Sequence, residues 1–389
     1  MNCIKKVLAI TGIRSDYDLL SSLFKLLNKD KEIEFKLLVG GAHLSNSYGL
    51  SIKQIEKDGF DVLTRIESLI DSDSNQSRLK SASIFLQNSI DIVAHYNPDL
   101  ILFAGDREEA LIGSLLGSFL EIPSIHFYAG DHTKDGHIDN PMRHVASKLS
   151  TVQFVVLEQH RQRLMRMGIS EQRIRVTGSI ALDKFVGKPS MDKKQIREYF
   201  KIQKGFENFG IVIYHPLAEE KDHSYLYFEN ILQALKMNNI NAFVSYPNTD
   251  PGNKDIISVA EKYRDDKNFV IYKNLDRNLF MSIFQNCQIM VGNSSAGILE
   301  SASIPIPVVN VGNRQKARIS NMNVIFSQSD LDAINISIKN ALFPEFLEKV
   351  KNVKNIYGDG KSAIRAYDLI KNMDFHEMIF KKEDVLDES

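Results

Sequence analysis

Short runs of consecutive apolar residues alternate, along most of the chain, with longer stretches in which apolar positions recur every three or four residues. VLAIT (7–11) is a continuous apolar strand of the kind buried on both faces, Gly12 permits a turn, and LLSSLFKLL (19–27) has helical spacing. FKLLVGGAHLS (35–45) is a second strand running into a Gly-Gly turn with His43, and 98–120 repeats strand, turn and helix around Asp106 and Arg107. SIHFY (124–128) is a short strand, followed by a polar loop too rich in His and Asp to be a plain connector. VQFVVL (152–157), EQHRQRLMRMG (158–168) and IRVTGSIALD (174–183) continue the alternation as strand, helix, then strand and turn.

The run 185–205 is charged, holds Pro189 and Gly205, and has no long apolar segment, so it reads as a linker with a joining helix. The pattern then restarts with strands at 209–216, 241–247, 268–275 and 287–293 and helices between them. Two such series predict an α/β protein of two doubly wound, Rossmann-like domains with mainly parallel sheets facing each other across a cleft. The expected limits are 1–185 for the first domain, 186–361 for the second, and 362–389 for a helix and frayed tail packing back on the first domain.

A length of 389 residues agrees with two cores rather than one. With 48 basic against 49 acidic side chains, a general nucleic-acid binder is excluded and any phosphate recognition must be local. Cys3 and Cys287 are too few for a disulfide framework or thiolate metal site and suggest a reducing, cytoplasmic setting. VLAI is far shorter than a signal-peptide core, and no run nears the roughly 20 apolar residues that span a bilayer, so no membrane association is expected.

The densest chemistry lies in 291–315. Ile289 to Val291 end a strand, Gly292 turns the chain, and Asn293, Ser294 and Ser295 stand where a helix begins. Unpaired N–H groups, two hydroxyls and Gly297 for close approach suit a diphosphate, and Glu300, one to two turns into the helix, suits two vicinal ribose hydroxyls. A plain capped helix fits this segment equally well by itself. Arg14, His43, Asp106, Arg107 and the 126–144 loop stand at strand ends of the first half, and His215 and Arg314 at strand ends of the second. Arginines 14 and 107 suit a leaving diphosphate, although a solvated Arg14 is the simpler alternative. Asp106, Asp131 and Asp139 are acid/base candidates, each of which also fits a helix cap or an arginine partner. Asp131, His132, His137, Asp139, Arg143 and His144 lack metal-ligand spacing and read as a cleft-lining acid/base loop, so neither a metal nor another cofactor is expected.

TGIRSDYDLL, GAHLSNSYG, GDREEAL, HFYAGDHTKDGHIDNPMRHVASKLS, YHP, GNSSAGILE and NVGNRQKAR resemble, in that order, the motifs of UDP-N-acetylglucosamine 2-epimerases of the hydrolysing branch used in sialic and legionaminic acid synthesis. The match runs from about residue 5 to 370. It implies the GT-B arrangement and a two-step reaction: UDP is eliminated to leave a 2-acetamidoglycal, and water adds to release a free N-acetylmannosamine-type or diacetamido sugar. By the same resemblance Asp106 and Asp139 are acid/base carboxylates, with Asp131 where a glutamate is usual, and His215 lies near the leaving phosphate. Arg14, Arg107, Ser294, Ser295, Gly297 and Arg314 belong to the nucleotide site with Glu300 on the ribose, and His43, Tyr128, Arg143 and His144 to the sugar site. A homodimer or homotetramer is implied by resemblance alone.

The chain departs from the family pattern at Tyr128, where glutamate or histidine is usual, and at Asn140, where a second acidic residue often follows Asp139. The alternatives are a non-hydrolysing epimerase, which typically shows GTRPE where this chain has GIRSD, a GT-B glycosyltransferase, and a nucleotide-sugar sensor without turnover.

Overall fold

Side chains alternate across a strand, and in the first sheet that alternation feeds two separate cores. Val7 and Ala9 of β1 (Lys5–Thr11), Leu37 and Val39 of β2 (Ile33–Gly40) and Leu102 of β4 (Leu100–Ala104) face one core, with Leu20, Leu23, Phe24 and Leu27 of α1 (Arg14–Lys29). Leu8, Ile10, Leu38, Ile101 and Phe103 face the other, with Phe85 and Val93 of α3 (Asn75–Tyr96) and Ile112 and Leu116 of α4 (Glu108–Phe119). Between these elements lie α2 (Ile52–Lys57) and β3 (Val62–Ile66).

The computed structural model describes residues 4–72, 74–132, 138–217, 220, 222–247, 252–273, 275–316 and 318–384. The chain forms two units, Met1–Lys184 with Tyr357–Ser389, and Phe185–Ile356. The first continues through β5 (Ser124–Phe127), α5 (Asp139–Leu149), β6 (Val152–Val155), α6 (Glu158–Arg166) and β7 (Ile174–Val176). Its sheet is parallel throughout, in the order β3-β2-β1-β4-β5-β6-β7.

The second unit contains α7 (Lys193–Tyr199), β8 (Phe209–Ile213), α8 (Ser224–Met237), β9 (Asn241–Ser245), α9 (Asn253–Lys262), β10 (Phe269–Tyr272), α10 (Arg277–Asn286) and β11 (Ile289–Gly292). It ends with α11 (Ser295–Leu299), β12 (Val308–Val311), β13 (Val324–Ser327), α12 (Leu331–Ala341) and α13 (Pro344–Lys351). The sheet order is β10-β9-β8-β11-β12-β13, again parallel. Val212, Val244, Val291 and Val309 share a core with Phe228 and Leu232 of α8 and Ile334 and Ile338 of α12.

The last helix, α14 (Ser362–Asn372), belongs to the first unit. Its Ala363, Ala366 and Ile370 enter the core that α1 covers. The Asp183 carboxylate accepts the first helical N–H groups, from Ser362 at 3.1 Å and Ala363 at 2.6 Å, as an acid at a helix N-terminus should. Arg365 reaches back to the Thr177 carbonyl, with Nη2 at 2.9 Å.

Candidate functional site

In a doubly wound sheet the crevice for a ligand opens where strand order reverses. In the first unit that point lies between β1 and β4. The turn after β1 needs glycine, because a Cβ on Gly12 would lie 2.0 Å from Glu109 Oε1. Glu109 is the second residue of α4 and points its carboxyl back under this turn, with Arg107 Nε 3.7 Å from Oε2. Asp16, in the first turn of α1, is a second buried carboxyl in the same place. Burial pushes Asp16 well above the ordinary carboxylate range, and the nearby Glu109 charge adds to the effect. Burial raises Glu109 also, against the pull of Arg107, so the two carboxyls titrate as a pair.

Asp106 follows β4 and is bound by Arg143 Nη2. Burial raises the Asp106 carboxyl and Asp139 adds to the rise, while Arg143 and Arg107 oppose it. Asp139 and Arg143 stand four residues apart on α5, hence on one face, and Arg78 of α3 joins that face by binding Glu108 and standing 3.6 Å from Asp139. Beneath the turn, His126 Nε2 donates to the Gly105 carbonyl at 2.7 Å, and burial lowers this histidine to about 4. The ring is therefore neutral, and its Nδ1 lies 3.0 Å from the Ser147 hydroxyl, which donates to the Arg143 carbonyl at 2.9 Å. A cavity of about 360 Å³ opens beside Arg107, between α3, α4 and the turns after β1 and β2.

The other residues expected in the first unit take distinct places. Arg14 is the first residue of α1, its side chain 64% exposed and 3.6 Å from Asp18. His43 also follows its strand, but no part of it reaches solvent. Its ring lies between Thr11 Oγ1 at 2.9 Å and Ser51 Oγ at 2.7 Å, and burial lowers it to about 4, so its influence on a ligand passes through the β1 and β2 turns. Tyr128 adopts a left-handed φ of 61°, and its hydroxyl accepts from the Ala181 N–H at 3.0 Å. Burial works to raise Asp131, but the hydrogen bond and charge of His160, 3.4 Å away, hold it well below the usual carboxylate range. His144 stacks on His132 at 5.4 Å with rings 9° apart, and burial lowers it to about 4. His137 lies outside the described residues.

In the second unit the order reverses between β8 and β11. Gly292 has φ 139°, and a Cβ there would lie 2.1 Å from the Ile213 carbonyl. This close approach lets Asn293 grip the neighbouring turn: its Oδ1 accepts from the His215 N–H at 2.7 Å and its Nδ2 donates to the His215 carbonyl at 2.8 Å. The Asn293 carbonyl in turn accepts from Arg314 Nη1 and Gln315 Nε2, each at 3.1 Å. Ser294 is the N-cap, its Oγ accepting from the Ala296 N–H at 3.3 Å, and Ser295 opens α11.

Three details of this segment differ from the sequence expectation. The helix spans only Ser295–Leu299, and Glu300 is its C-cap rather than a residue well inside it. The chain passes into a 3-10 turn at Ser301–Ser303, where Ser301 Oγ donates to the Gly297 carbonyl at 2.6 Å, and a helix this short carries little macrodipole. Gly297 faces the sheet: a Cβ there would meet Val308 Cγ1 at 3.0 Å, so the glycine seats α11 on β12. Asn293, expected at the start of the helix, braces β8 to β11.

Sequence reasoning also passed over Asp16, Glu109, Arg78, Glu108 and Gln315. GDREEAL held a signal, since acids just after a strand-end turn commonly serve the first turn of a helix, but only folding shows Glu109 turned inward under Gly12.

Comparison with known proteins agrees with this fold. Residues 25–371 match the family model described as UDP-N-acetylglucosamine 2-epimerase. The chain is 34% identical, over 97% of its length and 99% of the relative's, to the UDP-N,N'-diacetylbacillosamine 2-epimerase (hydrolyzing) of Legionella pneumophila. It is 29% identical to the GDP/UDP-N,N'-diacetylbacillosamine 2-epimerase (hydrolyzing) of Campylobacter jejuni, over 84% of this chain and 86% of that one. Among solved structures, the UDP-GlcNAc 2-epimerase from Neisseria meningitidis bound to UDP-GlcNAc superposes with a TM-score of 0.77 at 20% identity, covering 94% of this chain and 100% of the other, which establishes the shared fold. The chain belongs to the UDP-N-acetylglucosamine 2-epimerase family.

Proposed function

We propose that this protein is a hydrolysing UDP-sugar 2-epimerase acting on UDP-N-acetylglucosamine or a diacetamido relative of it. The first step breaks the C2–H and C1–O bonds of the sugar. The C2 proton goes to a carboxylate, UDP leaves with the C1–O electron pair, and a 2-acetamidoglycal remains. Water then adds across the double bond, its oxygen at C1 and a proton at C2 from the opposite face, releasing a free sugar inverted at C2. Because the C2 proton is weakly acidic, departure of UDP runs ahead of its removal, and the main task is stabilising positive character at C1 and charge on the diphosphate.

Asp106, Asp139 and Asp131 carry the proton transfers in this reading. Arg14 and Arg107 of the first unit and Ser294, Ser295, His215 and Arg314 of the second bind the nucleotide diphosphate, and Glu300 the ribose. Arg143 acts on Asp106 and holds its orientation. The observation that carries the reading is the Asp106 carboxyl, raised by burial yet tied to Arg143 at the switch point of its sheet, an environment and position that suit proton transfer. Its support beyond geometry is the pair of relatives named as hydrolysing enzymes. To the same proposal belong a homodimer or homotetramer, a cytoplasmic setting, and the supply of precursors of sialic- or legionaminic-type acids.

The test is incubation with UDP-N-acetylglucosamine and UDP-diacetamido sugars in deuterated water. Deuterium at C2 of a released free sugar, with one UDP per sugar, is the expected result. Deuterium in intact UDP-sugar would assign the reversible epimerase instead, and no incorporation would favour glycosyl transfer.

A further inference from the structure

Three consecutive residues of the turn after β5 rest on one helix, α6. Ala129 is buried in a small core with Val155, Leu164, Ile169 and Ile174. Gly130 has φ 73°, and a Cβ there would lie 2.6 Å from the His160 carbonyl oxygen, so turn and helix meet backbone to backbone. Arg163 Nη1 donates to the Gly130 carbonyl. His160 Nε2 stands 3.4 Å from Asp131 Oδ1, and the same carboxylate oxygen accepts from the His132 N–H at 2.8 Å.

Exposure says which member of the pair serves the other. The His160 side chain is 7% exposed and that of Asp131 43%, so the histidine is the support and the carboxylate the group that can meet a ligand. His160 Nδ1 is buried with no hydrogen-bond partner among the described residues, so the proton of a neutral ring belongs on Nε2, facing the carboxylate. Both contacts fall on Oδ1, which leaves Oδ2, among the described residues, as the oxygen that can take a proton. The charged and titratable groups around this carboxyl are His160 and Arg163 of α6, Arg143 and His144 of α5, His132 of its own turn and Asp106 after β4. Arg143 binds Asp106 and its charge also acts on Asp131, so two carboxyls flank one guanidinium. Burial acts to raise both, yet Asp106 stays raised while Asp131 is held low, chiefly by His160. Neighbouring carboxyls driven apart in this way divide into a proton donor and a proton acceptor.

We propose that His160 and Arg163 are positioning residues of the site, seating the Asp131 carboxylate as a proton acceptor: Arg163 fixes the turn, and His160 fixes the side chain. Neither touches the substrate. This inference rests on the epimerase reading above and deepens it by naming what holds one of its carboxylates.

The experiment replaces the imidazole by two neutral side chains of similar size. His160→Leu removes the N–H that faces Asp131, and His160→Gln keeps one. Each is compared with the unmodified protein for UDP release from UDP-N-acetylglucosamine and a UDP-diacetamido sugar, and for UDP affinity. His160→Leu should lower kcat by about tenfold or more and His160→Gln by about threefold or less, with the Kd for UDP within about twofold in both. The His160→Leu deficit should be larger at about pH 5.5 than at about pH 8, because a carboxyl that has lost this partner keeps its proton to higher pH. Arg163→Met, which removes the donor to the Gly130 carbonyl, should also lower kcat with UDP affinity kept, and it stands in for His160→Leu should that variant not fold. Equal losses in His160→Leu and His160→Gln, as packing alone would give, no loss, a deficit equal at both pH values, or weakened UDP binding overturns the proposal. If the unmodified protein releases UDP from neither sugar, it is the epimerase reading that fails. An NMR titration of the Asp131 carboxyl carbon then tests the seating by itself: a midpoint at higher pH in His160→Leu sustains it, and an unmoved midpoint ends it.

Discussion

The turns after β4 and β11 occupy equivalent places, each beside the strand where its sheet reverses order, yet they are built from opposite materials. Around β4 the side chains are charged and partly buried: Asp106 on Arg143, Glu109 near Arg107, and Arg78 between Glu108 and Asp139. Around β11 the bracing is mainly neutral, with the Asn293 amide holding both backbone groups of His215 and the Ser294 hydroxyl capping α11, while Arg314 adds a charge on the Asn293 carbonyl. Buried charges change their proton count when their surroundings change, which suits groups that must exchange protons. Amides and hydroxyls hold one geometry at every working pH, which suits a seat for a nucleotide. On the proposed function, proton transfer falls to the first unit, and the second seats the nucleotide with Arg14 and Arg107 of the first reaching its diphosphate.

The comparison breaks most sharply at Asp106. Asp106→Asn keeps the shape and removes the exchangeable proton, and kcat should fall by about 10² to 10⁴-fold in a UDP-release assay. Arg143→Met should come next. It strands the Asp106 carboxyl, which is 28% exposed, at a cost of about 2 kcal/mol, less than for a fully buried pair. With the opposing arginine gone the Asp106 carboxyl rises further, so the acid limb of the pH–rate profile should move to higher pH. On the neutral side, Asn293→Leu leaves the His215 N–H and carbonyl unserved and should cost about 1–3 kcal/mol in denaturant unfolding, without moving that limb.

The smallest effect expected is on acid stability, and it resides in the first unit. His43, His126 and His144 are lowered from 6.5 to about 4 by burial. The unfolded chain therefore takes up protons between pH 6.5 and 4 that the folded chain refuses, so this contribution is intact above 6.5 and is lost as pH falls toward 4. Urea titrations at pH 7 and 5 should show the decline, and replacing His43 with a neutral residue should lessen it.

The architecture was legible wherever a strand is buried on both faces. VLAIT, LILFA and FGIVI announce themselves because each lies inside its sheet and is covered by helices. β3 and β13 gave no such signal, since edge strands are half buried and mix polar with apolar residues. The helix α3 was equally silent: of its 22 residues only Phe85, Ser89 and Val93 are buried, too sparse for a visible stripe. Strand-end positions pointed to Asp106, Arg107, His215 and Ser294 because turn chemistry is local, and the structure places all four after strands. They could not find Glu109 or Asp16, whose meaning comes from burial under a turn distant in sequence, or see that Asn293 serves a strand rather than a helix.

The division of labour is tested most directly by titrating UDP into Asp106→Asn and into Ser295→Ala combined with Glu300→Ala, alongside turnover. The first variant should bind UDP with a Kd within about twofold of the unmodified protein while turnover is lost, and the second should bind it about tenfold more weakly, near 1.4 kcal/mol. Unchanged UDP affinity in the double variant, or a loss of affinity in Asp106→Asn to match its loss of rate, would contradict the account.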